Sequence, residues 1–383
     1  MSIKPSGRSF VFFGIYVLLS LSLYAKPYAL KDSTAFFDLP DGWEALDASE
    51  PGKLSFTDAD HTAVFQIRSV SGDRFASAEE MQKTFSSQLN ASGDTAPFSY
   101  SGRDSVLADF TFNAGRYTAR GYFIFINGSD YDYILLAFTA AEMYDEMHGF
   151  LLSVLDSFSP DKKGIYLSGP VSQFYYPFPG ENRKTVNLSF ENKRVGVLID
   201  KGEIDAASVL IEREARVLAA FKKDRNEAWL RYYRMIYRDN FHRLDGAYEK
   251  LKGELLKAGV DRVDIPVRLL EWIQSFEYAR SGTPSDLLSP LETVIRESGD
   301  CDSRGLLYII LLKHFGFESI LLVSTVYGHS VTAVDIAGKG ARFSYNGKNY
   351  LIAEMTKPIG IGLIAQDMAD PAGWIPMSLD IRY

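Results

Sequence analysis

The chain holds a single cysteine, Cys301, in the stretch "ESGDCDSRGLLYIILLKHFG" at 297–316. A lone thiol can be an inert buried residue, half of an intermolecular bridge, or a nucleophile. Its setting favours the last. Ser298, Gly299 and Asp300 make a turn with N-cap character, which places Cys301 in the first turn of a helix. The positive end of the helix dipole and the unpaired N–H groups there stabilise a thiolate and can receive an oxyanion. Behind the cysteine, Leu306, Leu307, Ile309, Ile310, Leu311 and Leu312 are apolar nearly all round, so the helix is expected to be buried. A structural cysteine would sit inside that apolar run, not at its polar mouth.

A thiol nucleophile needs a base, and the base needs an orienting acceptor. Among the histidines, His329 opens the strand "HSVTAVDI", an edge position suited to a functional imidazole. His314 lies over three turns along the cysteine's own helix and cannot reach the thiol. His61, His148 and His242 stand where nothing else is chemical, and surface roles are expected of them. Glu354, in "YLIAEMT" on the next strand, is the best acceptor. Asp335, six residues along the strand of His329, is the reserve. Gln274, on an upstream helix, is a candidate oxyanion donor beside its plainer reading as a surface residue. Asp302 is expected to cap the helix or to be solvated.

Three blocks in order, "GDCDSRGLLYIILLKHFGFESILLV", "GHSVTAVDI" and "YLIAEMT", resemble the transglutaminase-like superfamily of papain-fold enzymes. The upstream "WIQSFEYAR" and "SPLETVIRESGDC" are similar to its usual lead-in, and the likeness covers roughly residues 265–365. It implies Cys301 as nucleophile, His329 as general base and acid, and Glu354 as orienting acid. Two departures stand out. Glu354 replaces the commoner Asp, and its longer carboxylate can still accept from an imidazole. Ser303 stands two residues after the cysteine, where many members carry Asp.

The elements that must position these groups follow from periodicity. Before about residue 160, "TAVFQIRSV", "DSVLADFTFN", "YTARGYFIFIN" and "YDYILLAFTA" alternate apolar and polar residues as half-buried strands do. "SAEEMQKTFSSQL" and "AEMYDEMHGFLLSVLDSF" read as flanking helices. With its "PDGW" opening and closing "LDSF", this part resembles the PsbP-like domains, which implies a binding or docking role and a protein partner. "SPDKKG" at 159–164 reads as a linker. "KTVNLSFENKRVGVLIDKG" gives two strands. A helical tract then runs from about Ile204 to Lys257, broken near Arg243–Gly246, with charges of alternating sign expected on solvated faces. "PVRLLEWIQSFEYAR" reads as a helix and "SGTPSDLLSPLETVIRESGD" as loop with short turns. After the cysteine helix, "ESILLVSTVYG", "HSVTAVDI" and "KNYLIAEMT" are successive strands.

The expected fold is α+β throughout. Residues 1–29 form an export segment, 34–160 a PsbP-like sheet with flanking helices, 165–260 a strand pair with a helical connecting region, and 261–383 a papain-like, transglutaminase-like domain. Lys4 and Arg8 precede the apolar run "FVFFGIYVLLSLSLYA", as in a secretory signal with cleavage after Ala25 or Ala29; an uncleaved anchor is the alternative. No cysteine follows that run to take a lipid. Hence the expected location is periplasmic or secreted, with membrane contact only if the segment is retained.

The chain has 383 residues, 46% of them hydrophobic, enough for two or three packed domains. With 41 basic and 49 acidic residues and no basic stripe, a nucleic-acid partner is not expected. No metal or cofactor motif occurs: neither His-Glu-x-x-His, nor a cysteine cluster, nor a glycine-rich phosphate loop. The functional expectation is an exported cysteine enzyme acting on a peptide or carboxamide through an acyl-thioester, which water resolves (peptidase or amidase). A crosslinking transglutaminase shares every step up to the thioester. A non-catalytic scaffold with a vestigial triad is the rival from another class.

Overall fold

A computed structural model describes residues 28–379 apart from 31, 32, 41, 48, 49, 51 and 221–224. The expected export segment lies outside the described residues except for Tyr28 and Ala29, and so does Asp41 of the "PDGW" opening. Among the described residues no helix is long and apolar enough to cross a membrane.

The architecture is α+β, with several antiparallel sheets. A ribbon of β1 (Tyr28–Ala29) and β2 (Phe36–Phe37) precedes a seven-stranded sheet. Its strands are β3 (Glu44–Asp47), β4 (Lys53–Thr57), β5 (Ala63–Ser71), β6 (Ser92–Tyr100), β7 (Arg103–Asn113), β8 (Thr118–Ile126) and β9 (Tyr131–Ala140), in the order 3-4-5-9-8-7-6. Strand periodicity sorts β8 between two cores. Tyr122, Ile124 and Ile126 pack toward helix α2 (Tyr144–Asp156), while Phe123 and Phe125 pack toward helix α1 (Ala78–Leu89). Tyr28 stacks on Phe37 with ring centroids 5.5 Å apart, so a cleavage after Ala25 leaves the first ribbon whole and one after Ala29 removes its first strand.

After α3 (Pro170–Tyr175), strands β10 (Lys184–Phe190) and β11 (Lys193–Ile199) form a hairpin. The long helical tract is three helices: α4 (Lys201–Ala220), α5 (Arg225–Asn240) and α6 (Asp245–Lys257). Next come α7 (Ile265–Gln274), α8 (Pro290–Arg296) and α9 (Cys301–His314). A second sheet follows, of β12 (Ser319–Ser324), β13 (His329–Val334), β14 (Arg342–Tyr345), β15 (Lys348–Ala353) and β16 (Ile375–Met377), in the order 14-15-13-12-16. Helix α9 runs through the largest core and lies against β12 and β13. Gly305 lies at that contact, where a Cβ would meet Leu321 Cδ1 at 2.8 Å and the leucine would have to shift.

Two expectations about this middle region are corrected. The segment 159–164 is not a free linker: Ser159 is fully buried and exchanges backbone hydrogen bonds of 2.9 and 2.8 Å with Phe36. Nor are the alternating charges of α4 and α5 all solvated: Arg216 is exposed, but a group of them is buried. Arg213 pairs with Asp156 at 2.6 Å, and Glu214 accepts from Arg213 and Arg231 at 2.8 Å each. Arg231 also reaches the carbonyls of Asp38 and Ser153, Arg234 pairs with Asp38 at 2.8 Å, and Arg238 donates to Ser157 O at 2.7 Å. These charges are buried because their partners come from the first sheet domain, far away in sequence.

Removing one member of such a network strands the others in low dielectric, at a cost of about 3–5 kcal/mol. Arg231→Ala is therefore expected to destabilise the protein by roughly that amount in a denaturant titration, by leaving Glu214 with one cation. A substitution at the exposed Lys83–Glu79 pair should shift the midpoint hardly at all.

Candidate active site

Cys301 is the first residue of α9, and Asp300 is its N-cap. The Asp300 carboxylate accepts from Ser303 N at 2.9 Å and its carbonyl from Arg304 N at 3.1 Å. The helix supplies no partner for the N–H groups of Cys301 and Asp302, which remain its open donors. Ser303 is buried, and its hydroxyl accepts from Leu288 N at 3.0 Å, so here the position does structural work.

His329 begins β13 opposite Ser324 of β12, and Glu354 follows β15, which pairs with β13 on its other side. Adjacent antiparallel strands thus bring imidazole and carboxylate together, with Nε2 2.8 Å from Glu354 Oε2. An ionised carboxylate only accepts, so Nε2 carries a hydrogen and Nδ1 is left for the thiol. The other oxygen, Oε1, accepts from Thr356 N and Thr356 Oγ1, both at 2.7 Å. Every direction around Glu354 is fixed.

The electrostatics follow from these contacts. Burial alone would lower the basicity of His329, but hydrogen bonding to Cys301 and Glu354 and the charges of both outweigh it, raising its pKa to about 10. Burial pushes Glu354 up; the bonds from His329 and Thr356 prevail and hold it below the ordinary carboxylate range. The side chain of His329 is 14% exposed, and Trp374 covers it with ring centroids 6.4 Å apart.

Cys301 and His329 open onto a cavity of about 510 Å³. Trp229, Tyr232 and Tyr233 of α5 form one wall, and Asp300, Asp302, Arg280 and Asp286 are also in its lining. These aromatic residues lay in the tract read as solvated helix, so the sequence reading missed them. It also missed Arg304, a residue only 1% exposed. Arg304 donates to Gly299 O at 2.8 Å, Phe276 O at 2.7 Å and Met355 O at 3.3 Å.

Other sequence candidates fall elsewhere. Asp335 pairs with Lys348 at 2.6 Å and has no contact with His329. Gln274 donates through Nε2 to Glu354 O at 2.8 Å and Ile359 O at 2.9 Å, so its amide nitrogen fixes the loop behind the acid and is not free to meet an oxyanion. Asp302 does not cap the helix, since Asp300 does. His314 stacks between Phe241 and Tyr248 and bonds to Phe241 O, a structural role. The remaining histidines lie outside the cavity lining.

The raised His329 sets a titration test. Its interactions with Cys301 and Glu354 stabilise the fold fully below pH 6.5, and that stabilisation is lost as pH rises through about 10. In an NMR titration the imidazole is expected to stay protonated past pH 8. Glu354→Gln should lower its midpoint and Asp335→Asn should leave it unmoved. A wild-type midpoint near 6.5 would show the two contacts to be absent in solution.

The sequence matches no protein-family model and no curated protein. Among solved structures, part of the chain is weakly similar to the cyanobacterial PsbP protein CyanoP from Synechocystis sp. PCC 6803, at 15% identity over 40% of this chain and 98% of that one, with a TM-score of 0.31. A protein of unknown function from Pseudomonas aeruginosa, PA94, matches at 15% identity over 33% of this chain and 89% of its own, with a TM-score of 0.21. A Bacteroides thetaiotaomicron VPI-5482 protein matches at 11% identity over 88% of this chain and 90% of its own, with a TM-score of 0.28. Scores this low transfer neither fold nor function.

Proposed function

We propose that the chain is an exported cysteine enzyme of the transglutaminase-like, papain-fold kind, acting on peptide or carboxamide bonds, with a PsbP-like domain in front of it. One observation carries the reading: Cys301 heads a buried helix beside an imidazole held by a buried carboxylate. With its pKa at about 10, His329 keeps the proton it shares with Cys301 near neutral pH. The sulfur attacks the carbonyl carbon, and the open N–H groups of Cys301 and Asp302 receive the negative oxygen. The C–N bond then breaks as His329 passes its proton to the leaving amine, leaving an acyl-thioester. Water, the abundant acceptor, gives a proton to His329 and attacks the thioester; the C–S bond breaks and the thiolate–imidazolium pair returns. Glu354 holds the imidazole at the right angle and stabilises its charged form.

Iodoacetamide is expected to modify native Cys301 quickly near neutral pH and to abolish activity as it does so. His329→Ala should slow the alkylation. Cys301→Ser should lose activity while keeping the melting transition. A thiol that resists alkylation until the protein is denatured would end the enzyme reading.

Glu354→Gln is expected to cut turnover by orders of magnitude, and Asp335→Asn to have little effect. The reaction is read by mass spectrometry of a peptide library incubated with the full chain and a primary amine. Cleavage and deamidation mark hydrolysis; amine incorporation would make the protein a transglutaminase instead.

A further inference from the structure

Asp302 is the one acid in the cavity whose role the thioester chemistry leaves open. It lies directly beside the candidate nucleophile: a carboxylate oxygen of Asp302, one of Asp300 and the Cys301 sulfur all fall within 4.8 Å of one another. Its Oδ1 is buried with no partner at full hydrogen-bond geometry, and the neutral hydroxyls of Ser330 and Tyr233 are what lies beside the carboxyl. The cation that acts on Asp302 is the His329 imidazolium, already held by Glu354, and neither nearby arginine is free to join it. Arg280, the arginine in the cavity lining, pairs with Asp286 at 2.6 Å, and Arg304 spends its donors on backbone carbonyls. Burial and the neighbouring Asp300 push the Asp302 carboxyl up to about 6, outweighing Ser330, Tyr233 and the charge of His329. Trp229, Tyr232 and Tyr233 line the same cavity, and aromatic faces attract cations.

We propose that Asp302 is the specificity residue of this site and receives the free α-ammonium of a peptide's amino-terminal residue, so that the bond cut is the one following that residue. The inference rests on the thiol-enzyme reading above. Distance selects the α-amine. In a reactive pose the carbonyl carbon lies about 3–3.5 Å from sulfur, and an α-nitrogen is about 2.5 Å from its own carbonyl carbon. An ammonium–carboxylate hydrogen bond adds about 2.8 Å. These three segments span the gap of at most 4.8 Å between sulfur and carboxylate with an open, unstrained path. A lysyl ammonium, on its four-carbon stem, sits several ångströms farther from its carbonyl than a gap of at most 4.8 Å asks for. The products are a free amino acid, which keeps its ammonium and gains the water oxygen on its carboxylate, and a peptide shortened by one residue.

Chloromethyl ketones of alanine, N-acetyl-alanine and N-acetyl-lysine test this on the full-length protein, because labelling of Cys301 needs no turnover. Rates are read by intact mass, with iodoacetamide as the thiol control. The free-amine alanyl reagent is expected to label at least ~10-fold faster than its acetylated twin, a tenfold ratio being worth about 1.4 kcal/mol. Asp302→Asn should bring that ratio toward one while iodoacetamide still reacts. Equal rates, a faster acetylated reagent, or a preference that survives Asp302→Asn would overturn the assignment of Asp302 alone. A preference for N-acetyl-lysine would transfer the pocket to a side-chain ammonium. If iodoacetamide modifies native Cys301 slowly and none of the three ketones labels it, the thiol-enzyme reading falls, and this inference with it.

Discussion

The buried guanidinium of Arg304 ties together the three chain segments that meet behind the candidate nucleophile. From the first turn of α9 it donates to Gly299 O in the turn before Cys301, to Phe276 O just past the end of α7, and to Met355 O next to Glu354. Those segments are remote from one another in sequence, and without Arg304 the carbonyls of Phe276 and Met355 would be stranded in a dry interior at a cost of roughly 1–3 kcal/mol each. A planar fork with five donors satisfies several at once; a lysine could not span the same angles. The thiol-bearing turn and the acid-bearing loop are thereby fixed to one rigid group. Nothing similar is needed for His329, because the strand pairing of β13 with β12 and β15 already sets its place.

The acid is held from two further directions. Thr356 binds the far oxygen of Glu354 through both its amide and its hydroxyl, and Gln274 anchors the Glu354 carbonyl. A glutamate has one more rotatable bond than an aspartate, and each extra rotor blurs the direction in which a carboxylate points. The paired bonds from Thr356 remove that freedom. The Glu354 carboxylate is thereby aimed at the imidazole as firmly as a shorter side chain would be.

How much of this was legible in the sequence depended on whether a residue's partners were local. Cys301, His329 and Glu354 each sit at the start or end of a regular element, and period and capping signals locate such positions well; the structure brings the three together. Arg304 left no signal because its partners are carbonyls, which have no sequence signature. Arg231, Arg234 and Arg238 looked solvated because Asp38, Ser153 and Ser157 lie far away along the chain. The sequence reads helix α8 as loop with short turns, although Ser289, Pro290 and Glu292 spell a capped start and Ser289 accepts from Glu292 N at 3.1 Å. Seven residues are too few to show a helical period. Strand β6 was missed for the opposite reason. It is an edge strand carrying Gly93 and Pro97, residues that a sheet tolerates at its rim and that erase the alternating pattern.

Helix α5 connects the two ends of the molecule. Residues three and four apart share a helix face, so Arg231, Arg234 and Arg238 make one stripe while Trp229, Tyr232 and Tyr233 make another. The first stripe is bonded into the seven-stranded domain through Asp38, Ser153 and Ser157. The second is a wall of the cavity beside Cys301. A helix whose charged side is buried in a hydrogen-bonded network has little freedom to rotate or slide, because any shift would strand several charges together. The first domain therefore does structural work for the site even though none of its residues lines the cavity: it fixes the aromatic wall of the cavity beside Cys301. Detaching that domain would expose the arginine stripe to water, and the wall would lose the restraint that sets its distance from Cys301.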